Sequence, residues 1–196
     1  LNLKRRSKYI LIGLSTDETL LIHLGMSGKI LVSGSKMGNY FYEFSKSKKH
    51  DHVIFLLSDG TVVTYNDPRR FGAMDLANTK DLNNHKFLKR LGPEPLGNDF
   101  NSYYLKKKLS KKESPIKNVL LDQSLVAGLG NIYVCEALFM SGISPKKKAS
   151  KISKNKCEEL VQNIRTVLIS AIEAGGSSLK DFTDIQGNSG YFQFEF

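Results

Sequence analysis

The sequence predicts an α+β protein: an antiparallel β-sandwich over residues 1–97, incomplete at its N-terminal side, followed by an all-α domain over residues 98–176. Three observations carry that reading. Short apolar runs bounded by Gly, Ser, Thr and Asp fill the first half, as in folds built from many short strands. Two prolines and two glycines crowd into Leu91–Phe100 and forbid regular structure there. Beyond that segment the apolar period lengthens from that of a strand to that of a helix.

Tyr9–Leu14, Leu20–Leu24 and Lys29–Val32 read as the first strands, and Val53–Ser58 with Thr61–Tyr65 as a hairpin. Asp59-Gly60 between the last two suits a two-residue type I′ turn, which requires positive φ at both central positions. From Ser102 to Ala174 about four helical segments follow. The clearest, Ser153 to Ala174, gathers Leu160, Ile164, Val167, Leu168 and Ala171 on one face and stops at Gly175-Gly176. An earlier helix ends near Asp122, and Gly128-Leu129-Gly130-Asn131 opens the next. Residues 177–196 mix Gly, Ser, Asn and Asp with aromatics and read as a loop feeding a strand cut short at Phe196. Both ends read as internal to a longer protein.

An apolar content of 40% excludes a disordered chain. Lys and Arg number 29 against 19 acids, a net charge of +10 shared by both halves, which points to a polyanionic partner. No apolar run approaches the roughly eighteen residues of a membrane span, and no signal peptide is visible. Cys135 and Cys157 stand alone, without a CxxC pair or clustered His, so no zinc site or disulfide framework is expected in this stretch. These features suit a cytoplasmic nucleic-acid-binding protein that needs no membrane.

Four segments could carry chemistry. Gly128 and Gly130 at a helix start allow close backbone approach, and the free N–H groups there favour a phosphate; a glycine-containing helix–helix turn that binds nothing is the alternative. Asn66-Asp-Pro-Arg-Arg-Phe-Gly72 follows a strand, and its Asp67-Pro68 turn makes Arg69, Arg70 and Phe71 project from a loop tip. An arginine beside an aromatic suits a protein that wedges into a base stack, although a surface ion pair beside a core Phe is the commoner arrangement. Met26, between Gly25 and Gly28, reads as a core gap-filler or as an apolar probe at a loop tip. His50-Asp51-His52 lacks a third ligand and reads as a phosphate contact or a solvated face, not a metal site. The basic runs Lys4–Lys8, Lys106–Lys112 and Lys146–Lys148 recur along the chain and suit a backbone-binding groove.

Taken in order, Arg5–Tyr9, His23–Gly28, Lys49–His52, Asp67–Gly72, Leu91–Pro95, Gly128–Tyr133, Gly175–Phe182 and Gly190–Phe192 resemble the formamidopyrimidine-DNA glycosylase family across essentially the whole chain. The resemblance implies a β-sandwich and a helix–two-turn–helix domain that close as a monomer on damaged, kinked double-stranded DNA. It implies excision of oxidised purines (formamidopyrimidines, 8-oxoguanine) from a flipped-out nucleotide, followed by AP-lyase nicking of the strand. Carried over, Met26, Arg69 and Phe71 fill the vacated space and Arg69 pairs with the orphaned base. His50 and Asn131 hold phosphates. Lys8 lies near the reacting centre and assists the lyase steps. Ser177, Ser178 and the loop to Tyr191, within residues 177–196, cover the extruded base. The Asp67–Gly72 loop follows the pattern of the purine-repair enzymes, not that of the relatives preferring oxidised pyrimidines.

The sequence departs from the family pattern in three places. The family's nucleophile is an N-terminal proline amine followed by a glutamate proton donor, and neither has a counterpart in residues 1–196. The four-cysteine zinc finger, the family's one structural metal site, would begin after Phe196, so no cofactor is expected within the chain. Glu113 stands where a basic residue is often found. The expectation is a repair glycosylase whose residues 1–196 alone are inactive; a non-catalytic binder of damaged DNA is the alternative reading. A nucleoid-associated, bacterial cytoplasmic setting follows from the resemblance.

Overall fold

The computed structural model describes residues 2–34 and 48–176. Seven strands come first: β1 (Asn2–Arg6), β2 (Tyr9–Gly13), β3 (Glu18–His23), β4 (Lys29–Ser33), β5 (Asp51–Leu56), β6 (Val62–Asn66) and β7 (Ala73–Asn78). Four helices follow: α1 (Ser102–Leu109), α2 (Ile116–Leu121), α3 (Asn131–Met140) and α4 (Lys154–Glu173). The strands form two antiparallel sheets of order β1-β2-β3-β7 and β4-β6-β5. The class is α+β, as the sequence predicts.

The predicted strands are present with ends shifted by a residue or two, but β1 and β7 were not anticipated. β1 carries Lys4, Arg5 and Arg6, is almost wholly exposed and, among the described residues, pairs only with β2, so no apolar alternation marks it. β7 offers only Met74 and Leu76 as large apolar residues and is held by its full register against β3.

The Asp59-Gly60 turn is corrected. Gly60 has φ +85°, but Asp59 is not in the left-handed region, so the turn is not type I′. The Gly60 N–H donates to Leu57 O (3.1 Å), the Leu57 N–H to Thr61 O, and Asp59 Oδ1 accepts from the Thr61 amide. This is a type I turn followed by a left-handed glycine, the three-residue hairpin loop. The aspartate side chain takes an amide that a tighter turn would have left to the backbone.

The helices begin and end where their sequence directs. Asn101 caps α1 by accepting from the Tyr104 amide, and Ser153 caps α4 by accepting from the Lys156 amide. α4 closes in a Schellman arrangement: Gly175 N–H donates to Ile172 O and Gly176 N–H to Ala171 O, with both glycines at positive φ. The predicted face of α4 is inside, with Leu160, Ile164, Val167 and Ala171 buried against α1 and α3 residues including Leu105, Val134 and Leu138. No helix among the described residues is long and apolar enough to cross a membrane.

Leu91–Phe100 is irregular, as expected, but it is not a loose linker. Gly92 N–H donates to Gln123 O, Ala127 N–H donates to Pro93 O, and the Arg165 guanidinium donates to the carbonyls of Pro95, Gly97 and Phe100. A Cβ on Gly92 would lie 2.7 Å from the Leu125 carbonyl, which is why glycine stands there. The segment thereby binds the strand-bearing half to the helical half.

Candidate nucleic-acid interface

Two loops from different strand connections form one unit. The first, Leu24–Gly28, follows β3 and carries Met26; the second, Asp67–Gly72, follows β6 and carries Arg69 and Phe71. Met26 is 47% exposed and Phe71 59% exposed, so neither belongs to a core. The Arg69 guanidinium lies 4.7 Å from the centre of the Phe71 ring, a cation–π contact that pre-sets both side chains. The loops touch backbone to backbone: a Cβ on Gly25 would sit 2.6 Å from Gly72 N and Phe71 C, and Gly25 has φ +66°.

Beneath the two tips lies Asp67, which is fully buried. Its Oδ1 accepts from Ser27 Oγ (2.6 Å); its Oδ2 accepts from the Gly72 amide (2.8 Å) and from Tyr65 OH (3.1 Å). Ser27 Oγ in turn accepts from the Arg69 amide (3.2 Å). Burial alone would push the carboxyl up, but the donors Ser27, Gly72, Tyr65 and the Arg69 amide outweigh it and hold Asp67 below the usual carboxylate range. The Tyr65 hydroxyl responds in the opposite direction, pushed up to about 12 by its own burial and by the bond to Asp67.

A second locus is the Ser7-Lys8 turn between β1 and β2. Ser7 has φ 54°, a conformation costly for a residue with a Cβ, and its amide donates to Glu94 Oε1 (2.7 Å). Glu94 also accepts from Arg5 and Arg6, and the Arg6 guanidinium reaches the carbonyls of Leu91 and Gly92. Burial opposes the charge on Glu94, but the Ser7 amide and the two arginines prevail and keep its pKa low. Both arginines of the first basic run are thus paired with Glu94, Arg5 from an exposed position and Arg6 from a half-buried one. Lys106 is likewise engaged, donating to Ile152 O.

Lys8 projects from this turn into an open cleft of about 490 Å³ between the two halves, lined also by Tyr9, His23, Phe87, Arg90 and Gln123. Desolvation lowers the Lys8 pKa. Lys8 approaches the start of α3, where a Cβ on Gly130 would lie 3.4 Å from Lys8 Nζ. Gly130 is the N-cap of α3 and supplies no side-chain cap, so the positive end of the helix and an ammonium face one region with Asn131 exposed beside them. Gln123 ties the pieces together. Its Oε1 accepts from the Gly128 amide and from Ser7 Oγ, while its Nε2 donates to the carbonyls of Leu121 and Leu129.

His23 joins the two loci. Its ring packs on Tyr9, which stacks on Phe87, and its Nδ1 accepts from the Gly25 amide at the root of the Met26 loop (3.1 Å). Desolvation, then the nearby Lys8 charge, lowers its pKa and favours the neutral ring.

The structure thus brings Met26, Arg69 and Phe71 together on one surface, places Lys8 in the cleft between the halves, and sets Asn131 next to Gly130, which Lys8 approaches. His50 lies at the end of a single 3-10 turn, and its carbonyl accepts from the Asp67 amide, next to the wedge loops. Ser177, Ser178 and Tyr191 lie outside the described residues. Glu113 is exposed, hydrogen-bonded to Ser150 and paired with Lys148. Among the described residues no three His, Cys, Asp or Glu side chains could hold a metal; Cys157 is sealed in the helical core and Cys135 is half-buried on α3. They do not fit a zinc site. Sequence reasoning missed Asp67 as more than a turn former, and missed Glu94, Gln123 and His23 as anchors. The only local signal was a charged or amide residue beside glycines that hold close backbone contacts.

Comparison with known proteins identifies the family. Residues 1–74 match the formamidopyrimidine-DNA glycosylase N-terminal domain, and residues 91–183 match the formamidopyrimidine-DNA glycosylase H2TH domain. The formamidopyrimidine-DNA glycosylase of Ruegeria pomeroyi is 57% identical over 194 residues, covering 99% of this chain and 69% of the relative. That of Ruegeria sp. TM1040 is 55% identical over 196 residues, with 100% and 69% covered. Among solved structures, the MutM (Fpg) protein from Thermus thermophilus superposes with a TM-score of 0.86 at 34% identity, covering 100% of this chain and 69% of that one. The Lactococcus lactis FPG mutant G226P, solved with DNA containing Fapy-dG, gives 0.84 at 34% identity, with 98% and 68% covered.

Proposed function

This chain belongs to the formamidopyrimidine-DNA glycosylase family, and on that premise we propose that it acts in base-excision repair on duplex DNA carrying oxidised purines, cleaving the N-glycosidic bond and then nicking the strand as an AP lyase. One observation carries the reading: an apolar side chain, an aromatic ring and a guanidinium stand exposed together on two interlocked loops. Exposed Met and Phe cost solvation unless they serve a partner, and a base stack opened by a flipped nucleotide is apolar and flat enough to take them.

In this reading the protein binds as a monomer, with the strand-bearing half (1–97) and the helical half (98–176) on either side of a kinked duplex. Met26 and Phe71 fill the space left by the extruded nucleotide, and Arg69 hydrogen-bonds the base left without a partner. His50, Asn131 and the positive N-terminal end of α3 take phosphates. The nucleophilic amine of the family attacks C1′ as the base leaves with its electron pair and a proton. The nitrogen, having lost its proton, then expels O4′, which takes up a proton as the sugar opens to an iminium. The iminium acidifies C2′–H, and loss of that proton expels the 3′ phosphate. Lys8, its proton held less tightly through desolvation, assists these proton transfers at the sugar. Ser177, Ser178 and Tyr191 cover the extruded base. The reading assigns no cofactor to residues 1–196.

Two experiments test it. Arg69→Ala should weaken binding to a lesion duplex more than to undamaged duplex, by about 1–3 kcal/mol; equal losses on both would make Arg69 a phosphate contact. Borohydride trapping on abasic DNA should yield no covalent adduct with a polypeptide of residues 1–196 alone, and an adduct once a Pro-Glu N-terminal segment is supplied. A strong adduct from residues 1–196 would refute this account of the nucleophile.

A further inference from the structure

We infer that Asp67 is a positioning residue for lesion recognition: its buried carboxylate fixes the Met26 loop and the Arg69–Phe71 loop as one unit, so discrimination of damaged from undamaged duplex depends on a group that touches no DNA. The inference rests on the wedge reading above.

Geometry assigns one side of each loop to each oxygen. Oδ1 takes the hydroxyl of Ser27, the neighbour of Met26, and that hydroxyl takes the Arg69 amide. Oδ2 takes the amide of Gly72, the neighbour of Phe71, together with the Tyr65 hydroxyl from β6. The backbone of Asp67 is pinned as well: its amide donates to His50 O, its carbonyl meets His52 Nε2 (2.8 Å), and the Arg70 amide donates to that same carbonyl. Ser27 beside Met26, Gly72 beside Phe71 and, through Ser27, the Arg69 amide are therefore all tied to a single side chain.

A carboxylate suits this place because it accepts through both oxygens, whereas an asparagine turns one of them into a donor. It is also a costly choice. Asp67 is fully buried, and no ion pair among the described residues includes it, so only neutral donors compensate its charge. An apolar residue would bury more comfortably but could not receive Ser27 and Gly72 at once. The close fit also requires glycine at position 72, since a Cβ there would collide with Tyr65 Oη and fall 2.6 Å from His23 O.

The test compares dissociation constants for a duplex carrying a stable abasic-site analogue and for the matching undamaged duplex. Asp67→Asn should lower the ratio of the undamaged-duplex constant to the abasic-duplex constant by about tenfold, the effect of losing one hydrogen bond to a charged acceptor, with undamaged-duplex affinity and its salt slope retained. Ser27→Ala, which removes only the Oδ1 branch from a solvent-reached loop, should lower the same ratio less and keeps the test decisive if Asp67→Asn unfolds. Met26→Ala and Phe71→Ala serve as references. A ratio unchanged by Asp67→Asn and Ser27→Ala, while the reference variants lower it, overturns the inference and leaves the wedge reading standing. An equal loss on both duplexes would make Asp67 merely structural and also overturns it. A ratio that even the reference variants leave unchanged removes the wedge reading, and the inference with it.

Discussion

The helical half and the strand-bearing half are held together by different forces. In the helical half a continuous apolar cluster runs from Phe100 to Ala171, many of its members completely buried. In the strand-bearing half the buried apolar cluster among the described residues is Leu11, Leu21 and Leu88, with half-buried neighbours such as Tyr9 and Phe87. Order there comes instead from polar anchors, Asp67 under the wedge loops and Glu94 under the Ser7-Lys8 turn. Apolar packing is non-directional and makes a robust platform. Hydrogen bonds to carboxylates are directional and set the aim of individual loops. A protein that must point three side chains at one gap has reason to use the second device where it meets its partner.

Breaking each half should therefore fail in a different way. The largest loss is expected from Phe100→Ala, which empties a fully buried aromatic site at the head of the helical cluster; denaturant unfolding should show a drop of about 3–5 kcal/mol. A loss under about 1 kcal/mol would mean that the cluster is looser than its burial implies. Glu94→Gln should cost about 1–3 kcal/mol, since the Arg5, Arg6 and Ser7 donors lose a charged acceptor. Its distinguishing sign is that the Lys8 turn, not the helical core, gains amide exchange.

Acid sharpens the contrast further. Asp67 and Glu94 both have folded pKa values below their ordinary ones. Their stabilisation is complete above the ordinary carboxylate range, near pH 4, and is lost as pH falls through the lowered values. Melting temperature should fall below about pH 4 in the native chain, and less steeply in a protein carrying Asp67→Asn and Glu94→Gln. The smallest effect belongs to His23, whose lowered pKa favours the neutral ring that accepts the Gly25 amide. That contribution is complete above the ordinary histidine value near pH 6.5 and declines as pH drops below it. His23→Gln should flatten the melting temperature between about pH 6.5 and 5; an unchanged slope would release His23 from this role.

The sequence made some of this legible for physical reasons. The helical face of α4, the glycines that end it and the opening of α3 at Gly130-Asn131 follow local rules, because helix periodicity and helix ends are written within a few residues. The exposed trio was legible as composition, through Arg69 beside Phe71 and Met26 between glycines. Its anchoring was not, because Asp67 meets Ser27 across forty residues and Glu94 meets Ser7 across eighty-seven. β1 escaped for a related reason: a basic edge strand has no buried face to impose alternation, and its arginines pair with a glutamate far along the chain. The Asp59 turn was misjudged because a side chain competed with the backbone for one amide.

The central claim is that Met26, Arg69 and Phe71 enter the duplex where a nucleotide is missing. Fluorescence of 2-aminopurine placed next to a stable abasic-site analogue reads this directly, because the probe brightens when its stacking is broken. The native chain should raise the signal on binding, and the combined Met26→Ala, Arg69→Ala, Phe71→Ala variant should bind the same duplex without raising it. An equal rise with that variant would show that these side chains stay outside the stack.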